Sequence, residues 1–348
     1  MNSLEEVFPA NSQYTGDMFT PLRLQYLGLR CCLILLAHAG GAEAASNSVG
    51  TEEVREAAVR AVGLVDRASS AFLTKRNCFA CHSQTLSVLV LRKAMQAGIE
   101  VNRDNLRNQR DRAFEALTAS RIDTFGYALW ALDAGEQTPD TNTAALVELI
   151  LKDGDPRSVW QPTVQRPPAE ASRFTSSFLA LRGARRYGTE LQSERIKQRR
   201  EAVRKWLDTD PPALETEDQV FRLRLAHELQ MPGATLEAQV NKLLADQTPE
   251  GGWAQRPGLL PDAYATGTAL TALHEAGGLS VSNQAWRQAV RFLMQTQRPD
   301  GSWHVITRVE PIQEYFESGF PHGTNQFISA FATGWATLAL LTNIEEQK

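Results

Sequence analysis

Two stretches decide how this chain folds: Gln247-Thr248-Pro249-Glu250-Gly251-Gly252-Trp253 and Gln297-Arg298-Pro299-Asp300-Gly301-Ser302-Trp303. Both fit Q-x-x-x-G-x-W, and internal repetition is the mark of a fold built from stacked supersecondary units. Each follows an apolar helical segment, ending in Leu243-Leu244 or Phe292-Leu293, and each leads into a helix rich in small residues. Tyr264-Ala265-Thr266-Gly267-Thr268-Ala269 parallels Phe331-Ala332-Thr333-Gly334-Trp335-Ala336, and Phe174-Thr175-Ser176-Ser177 is a weaker copy after a degenerate turn ending at Trp160. The glycine permits a tight turn, the tryptophan is expected to stack on the end of the next helix, and the glutamine can tie a neighbouring backbone. Small residues let helices approach closely. These are packing motifs, not catalytic ones.

Outward from the repeats the helical pattern continues. Val54, Ala57, Ala58, Ala61, Val62 and Val65 recur at helical spacing behind Thr51 as N-cap and Glu52-Glu53 in the first turn. Leu86, Leu89, Val90 and Ala94 predict a buried helix ending at Gly98, and Phe125 to Leu132 another, stopped near Gly135. Thr143–Lys152, Phe174–Tyr187, Ser193–Leu207 and Thr216–Leu229 follow, with Arg166-Pro167-Pro168 as a break. Strand-like alternation is scarce, so the expected class is all-α, built of helical hairpins. The 348 residues suffice for one large domain or two small ones. A formal net charge of −4 gives no footprint for nucleic acid or an anionic membrane. Lys197-Gln198-Arg199-Arg200 reads as the solvated face of a helix, and Met95, Met231 and Met294 as core gap-fillers.

The N-terminal 1–45 carry the layout of a secretory signal peptide: Arg23, the apolar run Tyr26–Ala37 and Ala42-Glu43-Ala44. Glu5, Glu6 and Asp17 are odd for such a segment, which makes Met18 a candidate true start; a buried N-terminal helix is the alternative. The apolar run is too short for a stable membrane span. Cleavage would remove Cys31 and Cys32, leave Cys78 and Cys81, and place residues 46–348 in the periplasm.

Those two cysteines stand in Asn77-Cys78-Phe79-Ala80-Cys81-His82-Ser83-Gln84, a C-x-x-C-H. The spacing is that of covalent haem attachment: two thiols at the start of a helical turn reach the two vinyl groups of one porphyrin, and His82 lies under the iron. A Cys78–Cys81 disulfide or redox pair is the alternative, and an oxidising compartment allows it. A zinc site would need a second ligand pair, and the chain has no second C-x-x-C or H-x(3–5)-H.

Taken together, the repeated turns resemble the squalene–hopene cyclase and protein prenyltransferase superfamily. The resemblance covers nearly all of residues 46–348 and is strongest from Leu243 to Leu341. It implies a single-domain α/α toroid, a double ring of inner and outer helices around a central apolar cavity. Within the superfamily the chain is most similar to exported bacterial proteins of unknown activity with a C-x-x-C-H near the first inner helix. Arg166-Pro167-Pro168, Asp262–Gly267, Ser302–Val305 and Glu317–Gly323 match that subgroup, whose frequent second histidine is replaced here by Ser83. The cyclases' D-x-D-D acid is absent, Asp153-Gly154-Asp155 being a helix-ending turn, so alkene cyclisation is not expected. Neither Cys78 nor Cys81 lies in a prenyltransferase zinc context.

Among polar residues, His227 reads as a helix-face residue and His274 as a solvated or capping residue following a helix. His304 and His322, on loops beside the repeats, are the candidates for the far side of the iron, with an open or Met-bound site as the alternative. Asp262, Tyr264, Glu317 and Gln326 either line a ligand cavity or cap helices and tie loops. Three functions stand. The first is an exported protein with one covalent haem c, transferring electrons to a periplasmic redox partner or sensing a small ligand. The second is an enzyme or binder acting on a terpenoid or similar apolar molecule. The third is a structural interaction protein with the Cys78–Cys81 disulfide.

Overall fold

A computed structural model describes residues 49–77, 79–80, 84–118, 122–310 and 314–347, which belong to one compact unit. The signal-like segment lies outside the described residues, as do Cys78, Cys81 and His82. Twelve α-helices occur among the described residues: α1 (Thr51–Lys75), α2 (Thr85–Gln96), α3 (Arg103–Arg112), α4 (Ile122–Ala134), α5 (Thr141–Lys152), α6 (Arg173–Tyr187), α7 (Ser193–Asp208), α8 (Thr216–Glu228), α9 (Gly233–Ala245), α10 (Ala263–Glu275), α11 (Gln284–Thr296) and α12 (Gln326–Glu345). The even-numbered helices each touch the next, and α12 touches α2, so six of them close a ring. The odd-numbered helices pack outside it, α1 against α12 and α2, α11 against α10 and α12.

Composition sorts the two rings. Inner α10 is buried from Ala263 through Leu273, on every side, as a helix enclosed by neighbours must be. Outer α7 buries only Arg199, Val203 and Leu207. The inner α12 is long and apolar enough to cross a membrane, yet 94% of that window is buried inside this fold. Close approach sets the inner spacing: a Cβ on Gly267 would stand 2.6 Å from the Ala336 nitrogen, and one on Gly126 2.5 Å from Leu179 Cβ. The inner helices run in parallel. First-turn residues meet first-turn residues, as Thr175, Glu217 and Tyr264 do, and late residues meet late ones, as Arg224 and Glu275 do.

The repeated turns weld the outer ring. Trp253 Nε1 donates to Leu243 O at 2.7 Å and Trp303 Nε1 to Leu293 O at 2.9 Å, each ten residues upstream. The ring thus locks onto a carbonyl of the preceding helix's last turn, one that also accepts from the backbone just past the helix, rather than stacking on the next helix. The next helix is engaged by the tryptophan's backbone N–H, which reaches Thr266 Oγ1 at 2.9 Å and Thr333 Oγ1 at 3.1 Å. Gln247 Nε2 donates to Gly251 O and to Ala285 O in α11; Gln297 Nε2 donates to Gly301 O and to Ala57 O in α1. The second turn therefore treats α1 as the first treats α11, and that step closes the circle. Gly251 and Gly301 both have φ +91°, and a side chain there would strike the backbone of Gln288 and Arg60 respectively. The degenerate turn keeps the tryptophan bond, Trp160 Nε1 to Ile150 O at 2.9 Å. Its missing glutamine is replaced by Arg199 of α7, which binds the carbonyls of Asp153, Asp155 and Ser158 and lies 3.9 Å over the Trp160 ring.

The only strands among the described residues are Trp253–Ala254 and Pro261–Asp262, paired antiparallel. Met231 is buried in the core, and Met95 and Met294 pack against it. The axis of the ring carries ring-to-ring contacts in place of an open central channel there: Tyr264 to Phe331, Phe331 to Tyr127, Tyr127 to Trp130 and Trp130 to Trp335, at 5.8–6.4 Å between centroids.

Candidate functional site

The N-terminal ends of the inner helices converge on a buried polar cluster. Glu217, in the first turn of α8, is 2% exposed. It accepts hydrogen bonds from Thr175 Oγ1 at 2.8 Å and from the Tyr264 hydroxyl at 2.9 Å. Burial pushes its carboxyl up to about 8, outweighing both donors, so it is neutral at pH 7. The same burial, with Glu217 beside it, holds Tyr264 well above the usual phenol range. Nearby, Ser176 donates to Asp123 of α4, and Thr85, opening α2, donates to Tyr127 O at 3.0 Å. Tyr264 is therefore an interior residue.

Asp262 is the N-cap of α10, accepting from Ala265 N at 3.0 Å, and its other oxygen accepts from Gln255 at 2.8 Å. Burial raises its carboxyl despite those donors. Gln255 Oε1 in turn accepts from Arg308 Nε, and both Arg308 amino groups donate to Glu215, the N-cap of α8. This junction draws together three loops whose tips carry apolar residues in solvent: Leu214 is 73% exposed, Leu260 85% and Ile306 71%. On the other flank, Arg166 pairs with buried Glu170 at 3.0 Å and lies 4.3 Å over Phe327.

The remaining candidates sort by contact. Gln326 accepts from Ser318 N at 2.9 Å and donates to Phe316 O at 2.6 Å, and exposed Glu317 accepts from Gly319 N and the Tyr315 hydroxyl. Both tie the 314–320 segment. His227 is exposed on α8. His274 lies within the last turn of α10, not beyond it, bonded to Leu279 O at 3.0 Å and tilted against Trp286. His304 and His322, distant in sequence, are brought together with ring centroids 4.8 Å apart. Ser302 gives its hydroxyl proton to Asp300 at 2.6 Å, so the 2.8 Å contact with His322 Nε2 requires that nitrogen to donate. Burial and the neighbouring His304 lower the affinity of His322 for a second proton, leaving Nδ1 with a free lone pair.

Cys78, Cys81 and His82 precede α2 directly, whose N-terminus belongs to this same mouth. On the described residues beside them, Gln84 N donates to Ala80 O at 2.8 Å and Ala80 N donates to Gln84 Oε1 at 2.6 Å. Gln84 is buried and reaches Gln109 at 3.2 Å. Among the described residues no group of three or more His, Cys, Asp or Glu side chains could hold a metal ion.

Residues 202–348 match the family model of the squalene-hopene cyclase C-terminal domain. A comparison with curated proteins gives no match. Among solved structures, the type II terpene cyclase MstE from Scytonema superposes with a TM-score of 0.54 at 13% identity, over 85% of this chain and 99% of that one. A variant of it in complex with its substrate geranylgeranyl dihydroxybenzoate gives 0.52 at 14%, over 84% and 98%. A possible member of the GH105 family from Klebsiella pneumoniae gives 0.52 at 11%, over 86% and 95%. At these identities the likeness is one of fold, which different chemistries share. The chain is an all-α toroid with the fold of squalene cyclase-like proteins, and its C-terminal residues 202–348 are similar to the squalene-hopene cyclase C-terminal domain.

Proposed function

We propose that the N-terminal mouth of the inner ring receives an apolar small molecule of the terpenoid class. The observation that carries this reading is the pairing, at one mouth, of exposed Leu214, Leu260 and Ile306 with the buried, neutral carboxyl of Glu217. The apolar side chains suit a poorly soluble ligand. Glu217 and Tyr264, bonded to each other beneath that mouth, put no charge under the ligand. A lone carboxyl is not the D-x-D-D acid of the cyclases, so binding or chemistry other than alkene protonation is the role proposed.

The C-x-x-C-H favours an addition to this reading: one covalent haem on Cys78 and Cys81, with His82 as iron ligand, in an exported protein. When bound, the group supplies one-electron or oxygen chemistry. This chain's part is to anchor it through Cys78 and Cys81, with Gln84 tying the adjoining backbone to Gln109, and to set the iron's far side, for which His322 Nδ1 and His304 are the candidates.

Full-length protein made in a host that matures c-type haem tests both parts. Solvent extracts of the purified protein should contain an apolar molecule; extracts free of one, with no binding of terpenoid probes such as farnesol, would remove the first. A Soret band that survives denaturation and disappears in Cys78→Ala/Cys81→Ala is expected. A mass two hydrogens below the reduced chain, without that band, would instead establish the disulfide. The sixth-ligand role predicts that His322→Ala or His304→Ala alters the spin state and the reduced spectrum; unchanged spectra in both would end it.

A further inference from the structure

Arg166-Pro167-Pro168, the break before α6, opens a turn that dips into the protein where a connection ordinarily stays on the surface. Arg166 and Glu170 exchange two backbone hydrogen bonds at 3.1 Å, which folds 166–170 back on itself, and their side chains pair at 3.0 Å. The tip is buried. Pro168 lies inside, Ala169 is 0% exposed within the main hydrophobic core, and Glu170 is 4% exposed. Ser172, two residues on, caps α6. Yet the Arg166 guanidinium lies 4.3 Å from the centre of the Phe327 ring, in the first turn of α12. In the closed ring α6 and α12 stand opposite each other, with α8 and α10 between them on one side and α4 and α2 on the other. The turn therefore leaves α6 and reaches across the N-terminal mouth to the far helix.

Phe327 meets Phe331 edge-on at 5.5 Å, and Phe331 belongs to the aromatic contacts along the ring axis. Thr175, Glu217 and Tyr264 join one another in the first turns of α6, α8 and α10, at the same end of the ring. The span thus covers the mouth that holds the Glu217 cluster, and the tip it inserts there is itself apolar. The Arg166–Glu170 ion pair is internal to the turn and holds its shape. The contact with Phe327 is of another kind: it joins the turn to α12 through a cation on an aromatic face, an attraction of modest strength.

We propose that the Arg166–Glu170 turn is a displaceable plug of the N-terminal mouth, latched by Arg166 on Phe327. An apolar ligand enters as the turn withdraws, and its body takes the place of Pro168 and Ala169. The inference rests on the reading of this mouth as a terpenoid site, and adds that the plug competes with the ligand. Measured affinity is then the intrinsic affinity reduced by the fraction of protein that is open.

Hydrogen–deuterium exchange and farnesol binding, both on the full-length protein, test the plug. Arg166→Met keeps the aliphatic stem and removes the charge, Phe327→Leu removes the aromatic face, and Arg166→Lys keeps a cation. Without ligand, Arg166→Met and Phe327→Leu should speed exchange in the peptide 161–172 while α10 exchanges as in wild type. Both should bind farnesol about threefold to tenfold more tightly than wild type, through faster association, with Arg166→Lys in between. A merely structural role for Arg166 predicts the opposite, since a loosened site binds less well. Unchanged exchange of 161–172 in both variants, or farnesol bound no more tightly by either, would overturn the plug and leave the terpenoid site standing. If neither wild type nor any variant binds farnesol, the reading of the mouth falls and the plug falls with it.

Discussion

Trp303→Ala is expected to destabilise the protein by about 3–5 kcal/mol, with Trp253→Ala and Trp160→Ala in the same range. The three rings are 1%, 0% and 1% exposed, so truncation leaves a cavity in a packed core. It also strips the carbonyls of Leu293, Leu243 and Ile150 of their indole partners, leaving each with the backbone N–H just past its helix end. Trp303 has a further duty, because its turn joins α11 to α1 and thereby the last outer helix to the first. Trp303→Phe separates the two contributions: it keeps most of the volume, and its cost should fall to about 1–2 kcal/mol. Urea unfolding followed by circular dichroism measures each. Midpoints close to wild type for Trp253→Ala and Trp303→Ala would show that the turns do not carry the ring.

The second large effect is a pH dependence located at Glu217. Its carboxyl titrates at about 8 in the folded chain against an ordinary value of 4.5. Between those values the folded state keeps a proton that the unfolded state has released, so stability falls as pH rises. The contribution is fully present below 4.5 and is lost through about 8, at a limiting slope of about 1.4 kcal/mol per pH unit. Glu217→Gln cannot ionise, and a rotated Tyr264 hydroxyl can accept from its amide. The variant should therefore lose less stability than wild type between pH 5 and pH 8, and the difference should approach several kcal/mol. Paired urea titrations at the two pH values read this out, with other titrating groups cancelling between the proteins. Equal pH slopes would mean that Glu217 is solvated in the folded state.

Much of the architecture was legible because it is local and periodic. Helical spacing of Val54 to Val65 marked α1, and the paired turns marked the helix-pair repeat and, through the superfamily they resemble, the toroid; each turn's tryptophan ring bonds only ten residues back along the chain. α3 escaped, because it buries only Asn105, Leu106 and Gln109 and shows no apolar stripe. Arg199 looked like part of a solvated basic run; only packing puts it, 1% exposed, over Trp160 in place of the absent glutamine. Asp262 and Tyr264 stood out in sequence, but Glu217 did not. It is one of three acids in Glu215-Thr216-Glu217-Asp218, and helix phase with its neighbours decides which of them faces Thr175 and Tyr264.

By itself, then, the sequence determined the all-helical class, the helix-pair repeat and the C-x-x-C-H whose spacing suits a haem. Residue type and period encode which side of a helix is apolar and where a turn must fall. The tertiary structure alone decided that the second repeat closes on α1, that His304 meets His322, and that Glu217 meets Thr175 and Tyr264. Those are meetings between separate segments of the chain, and a carboxyl's proton depends on what the fold brings beside it.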